Sequence, residues 1–399
     1  MNDSSITAEQ TTSYPATSTL NAPAAPSHSG IAVIGSLPDG HAIHGVTLRN
    51  GSLMATIIEY GARLTSLTVP NVDGQLTDVV LGLPSLDAYL ADEVCMGAVM
   101  GRNTSRISGA RCAIDGREYQ LADNDNGNNA HSGPHGFERA LWTIDDGSFD
   151  GSSVALRLTG PDLSQGFPGT LSTRATYTLT DNALEIRFDA ISDQDTLCNL
   201  TSHTYWNLDG TKQRSTTAND VNQSADAMGH MLRIATDRYF PTDEAFLPYD
   251  AAVVDSTPFD FRQGRKLRDA IATSPHDRQI AIGRGYNHAF DFADSYDSAH
   301  GNTHNSTRSL MPMATLTGER SGITMTLSCD APALVVYSAG WFDHIVGRDR
   351  QIYGPGAGIA LEPGFVPNAI NNTHGGTTPS PLLKADEHYR MTIRYTFQS

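Results

Sequence analysis

Four segments of the chain hold polar residues that a packed core does not call for, and two of them hold groups able to move protons. In NLTSHTYWNLDG, residues 199–210, side chains two apart share one face of an extended chain. Asn199, Thr201, His203, Tyr205 and Asn207 therefore fall on one side, and Leu200, Ser202, Thr204, Trp206 and Leu208 on the other. One face is mostly apolar, and the other is polar and aromatic around a central histidine. A ligand-facing strand has this pattern, and so does a strand with a solvated outer face. In GAGIALEPGFVPNAINN, residues 356–372, Ile359 and Leu361 alternate with Gly358, Ala360 and Glu362. A carboxylate whose same-face neighbours are glycine and alanine has open space before it, although a solvated rim glutamate gives the same pattern. A carboxylate and an imidazole together can serve as general base and general acid.

The other two segments say less on their own. Residues 101–142 contain Arg102, Arg106, His131 and His135 among many Gly and Asn residues, a composition that by itself means turns. GYNHAFDF, residues 285–292, sets Asn287 and His288 into an otherwise strand-like run.

The elements that must position these residues are short strands. GVTLRNG, SVALRLTG, TRATYTLTDNALEIRFDAISD, GITMTLS and YRMTIRYTFQS alternate polar and apolar residues, many of them β-branched. Asn50-Gly51, Asp73-Gly74 and Asp115-Gly116 lie between runs, as hairpins require. Only PSLDAYLAD and FRQGRKLRDAIA read as helices, and both are too short for βαβ crossovers. The pattern predicts an all-β fold, an antiparallel sandwich or barrel with few short helices. One domain is expected over residues 36–399. It follows a Ser, Thr, Ala and Pro tail, residues 1–35, too poor in large apolar groups to pack. Residues 211–228 and 293–308 read as surface insertions.

Composition narrows the function classes. A net charge of −17 with no Lys/Arg run predicts no nucleic-acid partner. Cys95, Cys112, Cys198 and Cys329 are scattered, which predicts free thiols rather than a disulfide scaffold, and no Cys or His pair has zinc-ligand spacing. The N-terminus lacks a basic start and an apolar stretch of signal-peptide type, and no apolar run approaches membrane-spanning length. The expected location is the cytoplasm, with no membrane association.

Taken in order, these segments resemble the aldose 1-epimerase (galactose mutarotase) family, from about His44 to Phe397. IIEYGARLTSLTVPNVDGQLTDVVLGLPSLDAYL is similar to the family's opening strands. Arg106 stands at the arginine of its Asn-Arg-Ile, and His131 at the histidine of its Asn-x-Leu-His-Gly-Gly. SHTYWNL is similar to Asn-His-Thr-Tyr-Phe-Asn-Leu, and TDRYFPTDEAFLP, FDFR and LEPGFVPNAIN are further landmarks. The resemblance implies the large antiparallel supersandwich of galactose mutarotase, with Glu362 as base and His203 as acid. Arg106 and His131 would position a monosaccharide, and Tyr205 or Trp341 would offer it an apolar platform. It implies no cofactor and no metal. The chain is expected to be a monomer or weak dimer.

Three positions depart from the family pattern: Ser105 replaces Asn, Asn287 replaces the Asp of Gly-Tyr-Asp-His, and Asn368 replaces the Asp of Pro-Asp-Ala. Because that first aspartate binds sugar hydroxyls, Asn287 bears on substrate preference more than on reaction type. Two rivals stay open at this point. One is a hexose-6-phosphate epimerase using Arg102 and Arg106, and the other is a non-catalytic sugar-binding protein on the same fold.

Overall fold

A computed structural model describes residues 29–210, 226–300, 309–371 and 378–399. Where the sequence alternates, burial alternates. Leu171–Leu179, Ala183–Ser192 and His388–Gln398 each bury every second residue, so one face of each strand meets the core. These strands lie side by side and antiparallel, Tyr177 opposite Ile186 and Ile186 opposite Ile393.

They form the centre of a nine-stranded sheet. Its order is Thr143–Asp145, Ser153–Gly160, Leu171–Leu179, Ala183–Ser192, His388–Gln398, Thr324–Cys329, Met311–Thr317, Met231–Ile234 and Arg265–Lys266. The C-terminal strand is thus inserted between strands far away in sequence, which fixes the chain end in the middle of the fold.

A five-stranded antiparallel sheet is formed by Gly30–Ser36, Ala42–Asn50, Leu53–Ile58, Arg63–Pro70 and Leu76–Asp78. A six-stranded sheet completes the architecture, and one continuous core joins all three. Val46 and Leu64 come from the five-stranded sheet, Leu156, Phe188 and Tyr395 from the nine-stranded one, and Ile359 and Leu361 from the six-stranded one. Each such side chain, fully withdrawn from water, contributes about 1.5–3 kcal/mol.

The all-β expectation therefore holds, and the helices are short. Leu86–Leu90 is capped by Ser85, whose hydroxyl accepts from the Ala88 amide, and Leu267–Ala272 is the second expected helix. A third helix, Arg278–Gly283, was not expected; Asp277 caps it by accepting from the Ile280 amide. No described helix is long and apolar enough to cross a membrane.

The domain boundary differs from expectation. Gly30–Ser36, placed in the tail by composition, pairs with Ala42–Asn50 from Gly30 opposite Thr47 to Ser36 opposite Ala42. This strand is an edge that buries little, with Val33 62% exposed, so backbone hydrogen bonding rather than apolar patterning recruits it. Of the two expected insertions, residues 211–225 and 301–308 lie outside the described residues, while Ala293–His300 forms a helix.

Candidate active site

The six-stranded sheet runs in the order Tyr205–Trp206, Ile359–Gly364, Ala333–Tyr337, Asn287–Asp291, Arg238–Phe240, Ala252–Val253. Residues directly opposite one another across a ladder point to the same face. Tyr205 pairs with Ala360, Ala360 with Tyr337, and Tyr337 with Asn287, so these four make one row. Glu362, two residues beyond Ala360, shares their face, while Ile359 and Leu361 point into the core. Three of the four segments singled out in the sequence thus converge on one side of one sheet.

The glycine beside this carboxylate does not leave open space, as the sequence suggested. A Cβ on Gly358 would lie 2.7 Å from Leu81 Cδ1 and 3.0 Å from Tyr205 Cβ, so the missing side chain permits close packing instead.

His203 sits in the gap between the short strands Thr201–Ser202 and Tyr205–Trp206. Its amide donates to the Ala98 carbonyl at 2.8 Å, and its carbonyl accepts from the Gly97 amide at 3.0 Å. Gly97 can make that contact only as glycine. Its φ is 71°, and a Cβ would come within 2.2 Å of the Leu64 carbonyl oxygen. So held, His203 Nε2 lies 3.6 Å from Glu362 Oε1, and both side chains are 7% exposed. Its other ring nitrogen, Nδ1, is buried and has no hydrogen-bond partner among the described residues. Burial pushes the Glu362 carboxyl above the ordinary range, against the opposing pull of His203 and Arg106.

His131 stands with its ring 5.6 Å from that of His203. Its backbone is left-handed (φ 53°), as is that of Ser105 (φ 62°), and the two segments lock together where the His131 amide donates to the Ser105 carbonyl at 2.8 Å. His131 Nδ1 accepts from the Ser105 amide at 3.2 Å. Desolvation, then the charges of His203 and Arg106, hold its pKa well below the ordinary value. With Nδ1 accepting from the Ser105 amide, the ring carries its proton on Nε2, where it can act as a donor.

Arg106 Nε donates to Asp125 Oδ2 at 2.7 Å, and its guanidinium lies 4.6 Å from the centre of the Phe246 ring. Asn368 anchors this arginine from the far side. The Asn368 amide donates to the Arg106 carbonyl at 2.7 Å, and its side-chain oxygen accepts from the Ser108 amide and hydroxyl. Because Asn368 has a φ of 61°, its left-handed turn suits asparagine, and the loop after Glu362 is tied to the arginine strand.

The remaining candidates divide. Asn287 is half-buried on the row with Tyr337, and His288 Nδ1 accepts from its amide at 3.1 Å. Tyr205 is buried beneath His203, with ring centres 4.9 Å apart, and its hydroxyl donates to the Val94 carbonyl at 2.9 Å. Tyr205 thus offers the site a ring face and no free hydroxyl. Trp341 is 37% exposed and meets the Phe246 ring edge-on at 5.2 Å.

Arg102 is elsewhere altogether. It is fully buried, and its guanidinium donates to Pro168 O, Gly169 O, Thr196 Oγ1 and Ser164 Oγ, while burial lowers its pKa to about 10. His135 is exposed, and its carbonyl accepts from Gln165.

Sequence reasoning missed Tyr337 and Phe246. Tyr337 ends the run ALVVY, which reads as core. Its ring nevertheless lies 6.3 Å from that of His203. Among the described residues no group of His, Cys, Asp and Glu is arranged to hold a metal ion.

A family model described as aldose 1-epimerase matches residues 44–396. The aldose 1-epimerase of Escherichia coli K12 is 30% identical over 363 residues, 90% of this chain and 96% of that protein. The galactose mutarotase of Rattus norvegicus is 31% identical, over 92% of this chain and 97% of that one. Among solved structures, the galactose 1-epimerase of Lactobacillus acidophilus superposes with a TM-score of 0.74 at 27% identity, covering 93% of this chain and 98% of its own. A family match spanning most of the chain, on a β-sandwich that gathers Glu362, His203, His131 and Arg106, makes this protein a member of the aldose 1-epimerase family of isomerases.

Proposed function

We propose that the protein interconverts the α and β anomers of a free aldose such as galactose or glucose, with Glu362 as general base and His203 as general acid. The observation that carries this reading is a buried carboxylate and imidazole facing each other at 3.6 Å. The pair lies on a sheet face whose other members offer donors and ring faces.

Ionised Glu362 takes the proton from the anomeric hydroxyl. The C1–O5 bond breaks as C1 becomes an aldehyde carbon, and O5 takes a proton from His203. Rotation about C1–C2 turns the other aldehyde face to O5. Closure then returns the protons by the reverse route and yields the other anomer. His131 Nε2–H and the Arg106 guanidinium donate to sugar oxygens as charge shifts between them. Asn287 meets a ring hydroxyl, and Trp341 and Tyr337 present apolar surface to the sugar.

The placement of Arg102 favours a neutral sugar over a hexose 6-phosphate, because it is fully buried and its two terminal nitrogens donate to Pro168, Gly169, Thr196 and Ser164. Four free thiols suit a reducing cytoplasm, and a net charge of −17 suits a protein without nucleic-acid partners. Polarimetry on pure α-galactose and α-glucose tests the reading. The protein should speed the approach to anomeric equilibrium in proportion to its concentration, and failure on both sugars would overturn it.

A further inference from the structure

Beyond the reacting pair, two arginines and two aromatic rings form a stack. Arg106 lies over Phe246 at 4.6 Å, Phe246 meets Trp341 edge-on at 5.2 Å, and Arg284 lies over Trp341 at 5.5 Å. The stack adjoins the site through Tyr337, whose ring is 6.0 Å from that of Trp341 and 6.3 Å from that of His203. The Tyr337 hydroxyl accepts from the Trp341 amide at 3.2 Å, which ties the stack to the row of site residues.

The two arginines differ in one respect. Asp125 answers the charge of Arg106. Among the described residues no carboxylate or hydrogen-bond acceptor pairs with the guanidinium of Arg284. Its backbone, at φ 47°, ends the helix Arg278–Gly283 in a left-handed turn, a conformation that costs energy for a residue with a side chain. Asn287, three residues further on and in the row with Tyr337, is an amide and supplies no counter-charge. An unanswered cation beside a sugar site is conspicuous in a chain of net charge −17.

We infer that the site also takes aldoses bearing one carboxylate, the aldouronic acids, and that Arg284 meets that carboxylate. The inference rests on Glu362 and His203 being the ring-opening pair. The guanidinium fork matches a carboxylate with two parallel hydrogen bonds, and stacking on Trp341 holds the fork in place before the ligand arrives. A phosphate dianion would want a second free cation, and neither Arg106, held by Asp125, nor buried Arg102 supplies one.

The experiment measures kcat/KM for galacturonate against galactose, and for glucuronate against glucose, by anomer-resolved NMR. Because Arg284 is exposed, its effect is modest, up to about fivefold. The uronate-to-neutral ratio should fall by about that factor in Arg284→Gln and by less in Arg284→Lys, which keeps the charge but loses the fork. It should also fall in Asn287→Asp, which sets a carboxylate beside the arginine, and on raising salt from about 20 to about 200 mM. A ratio indifferent to Arg284→Gln overturns the assignment, as does glucose 6-phosphate outperforming both uronates. No turnover of any sugar, neutral or acidic, would instead sink the underlying reading of Glu362 and His203.

Discussion

In the nine-stranded sheet the central strands run long, and each has one buried face and one partly exposed face, as Leu171–Leu179 and Ala183–Ser192 do. The six-stranded sheet is made of shorter strands, and Ile359–Gly364 is buried at every position. Its two faces do different things: Ile359 and Leu361 enter the core, while Ala360 and Glu362 face the site. The first sheet can be uniform because it has only to exclude water. The second must also carry the Glu362 carboxylate against His203 and Arg106, which neighbouring segments bring up to its face, and burying such polar groups costs stability. Damage to the two sheets should therefore show in different measurements.

The sharpest contrast is expected from Glu362→Gln. The change is nearly isosteric and removes the proposed base, so kcat should fall by about 10²–10⁴-fold. Stability should move the other way. The Glu362 carboxyl is raised in the folded protein, so it loses stability as pH rises from the unfolded pKa towards the folded one. Glutamine has no such loss, and the variant should melt no lower than wild type at neutral pH and gain most above that window. A variant that kept a third of the wild-type kcat would move the base to another residue.

Phe188→Ala should do the reverse. Phe188 is fully buried in the nine-stranded sheet, and truncation of such a ring costs about 3–5 kcal/mol. Tm should fall steeply, while kcat per folded molecule, measured well below the transition, stays near wild type. A large loss of kcat in the folded variant would mean that the sheets are not separable in this way.

A smaller effect is expected at the N-terminal edge, where two truncations discriminate. Deleting residues 1–28 should leave Tm and kcat nearly unchanged. Deleting 1–36 removes the strand Gly30–Ser36 from its pairing with Ala42–Asn50 and should lower Tm by several degrees. Equal melting of both truncations would show that the edge strand adds nothing.

The same contrast explains what the sequence made legible. Alternation revealed the long strands, and it placed His203 with Tyr205, and Glu362 with Ala360, on common faces. It did not reveal Gly30–Ser36, an edge strand held by backbone hydrogen bonds that leave no apolar period. Nor did it separate Arg102 from Arg106. Both stand in a Gly- and Asn-rich stretch, yet one is locked against backbone carbonyls and the other reaches the site. Tyr337 was hidden for a third reason: an apolar run such as ALVVY reads as core whether its last ring faces the core or a sugar.

The finest test of the six-stranded sheet is Asn287, where one atom changes. Asn287 shares a row with Tyr337, and its backbone is fixed by His288, so a substitution there should alter the side chain's chemistry more than its position. An amide can donate or accept, whereas a carboxylate only accepts, but more strongly: hydrogen bonds to charged groups are worth about 1.5–3 kcal/mol against about 0.5–1.5 for neutral ones. Asn287→Asp should therefore tighten binding of a neutral aldose by up to about 1 kcal/mol, roughly fivefold in KM. The nearby Arg284 would draw part of the new charge to itself and trim that gain. Asn287→Ala should raise KM and leave the pH profile of kcat alone, because an amide does not titrate and the proposed acid and base are His203 and Glu362. The measurement is KM for galactose and glucose in the wild type and both variants, together with kcat across pH. If neither substitution moves any KM beyond error, Asn287 does not touch the sugar, and the row from Tyr205 to Asn287 reaches further than the site does.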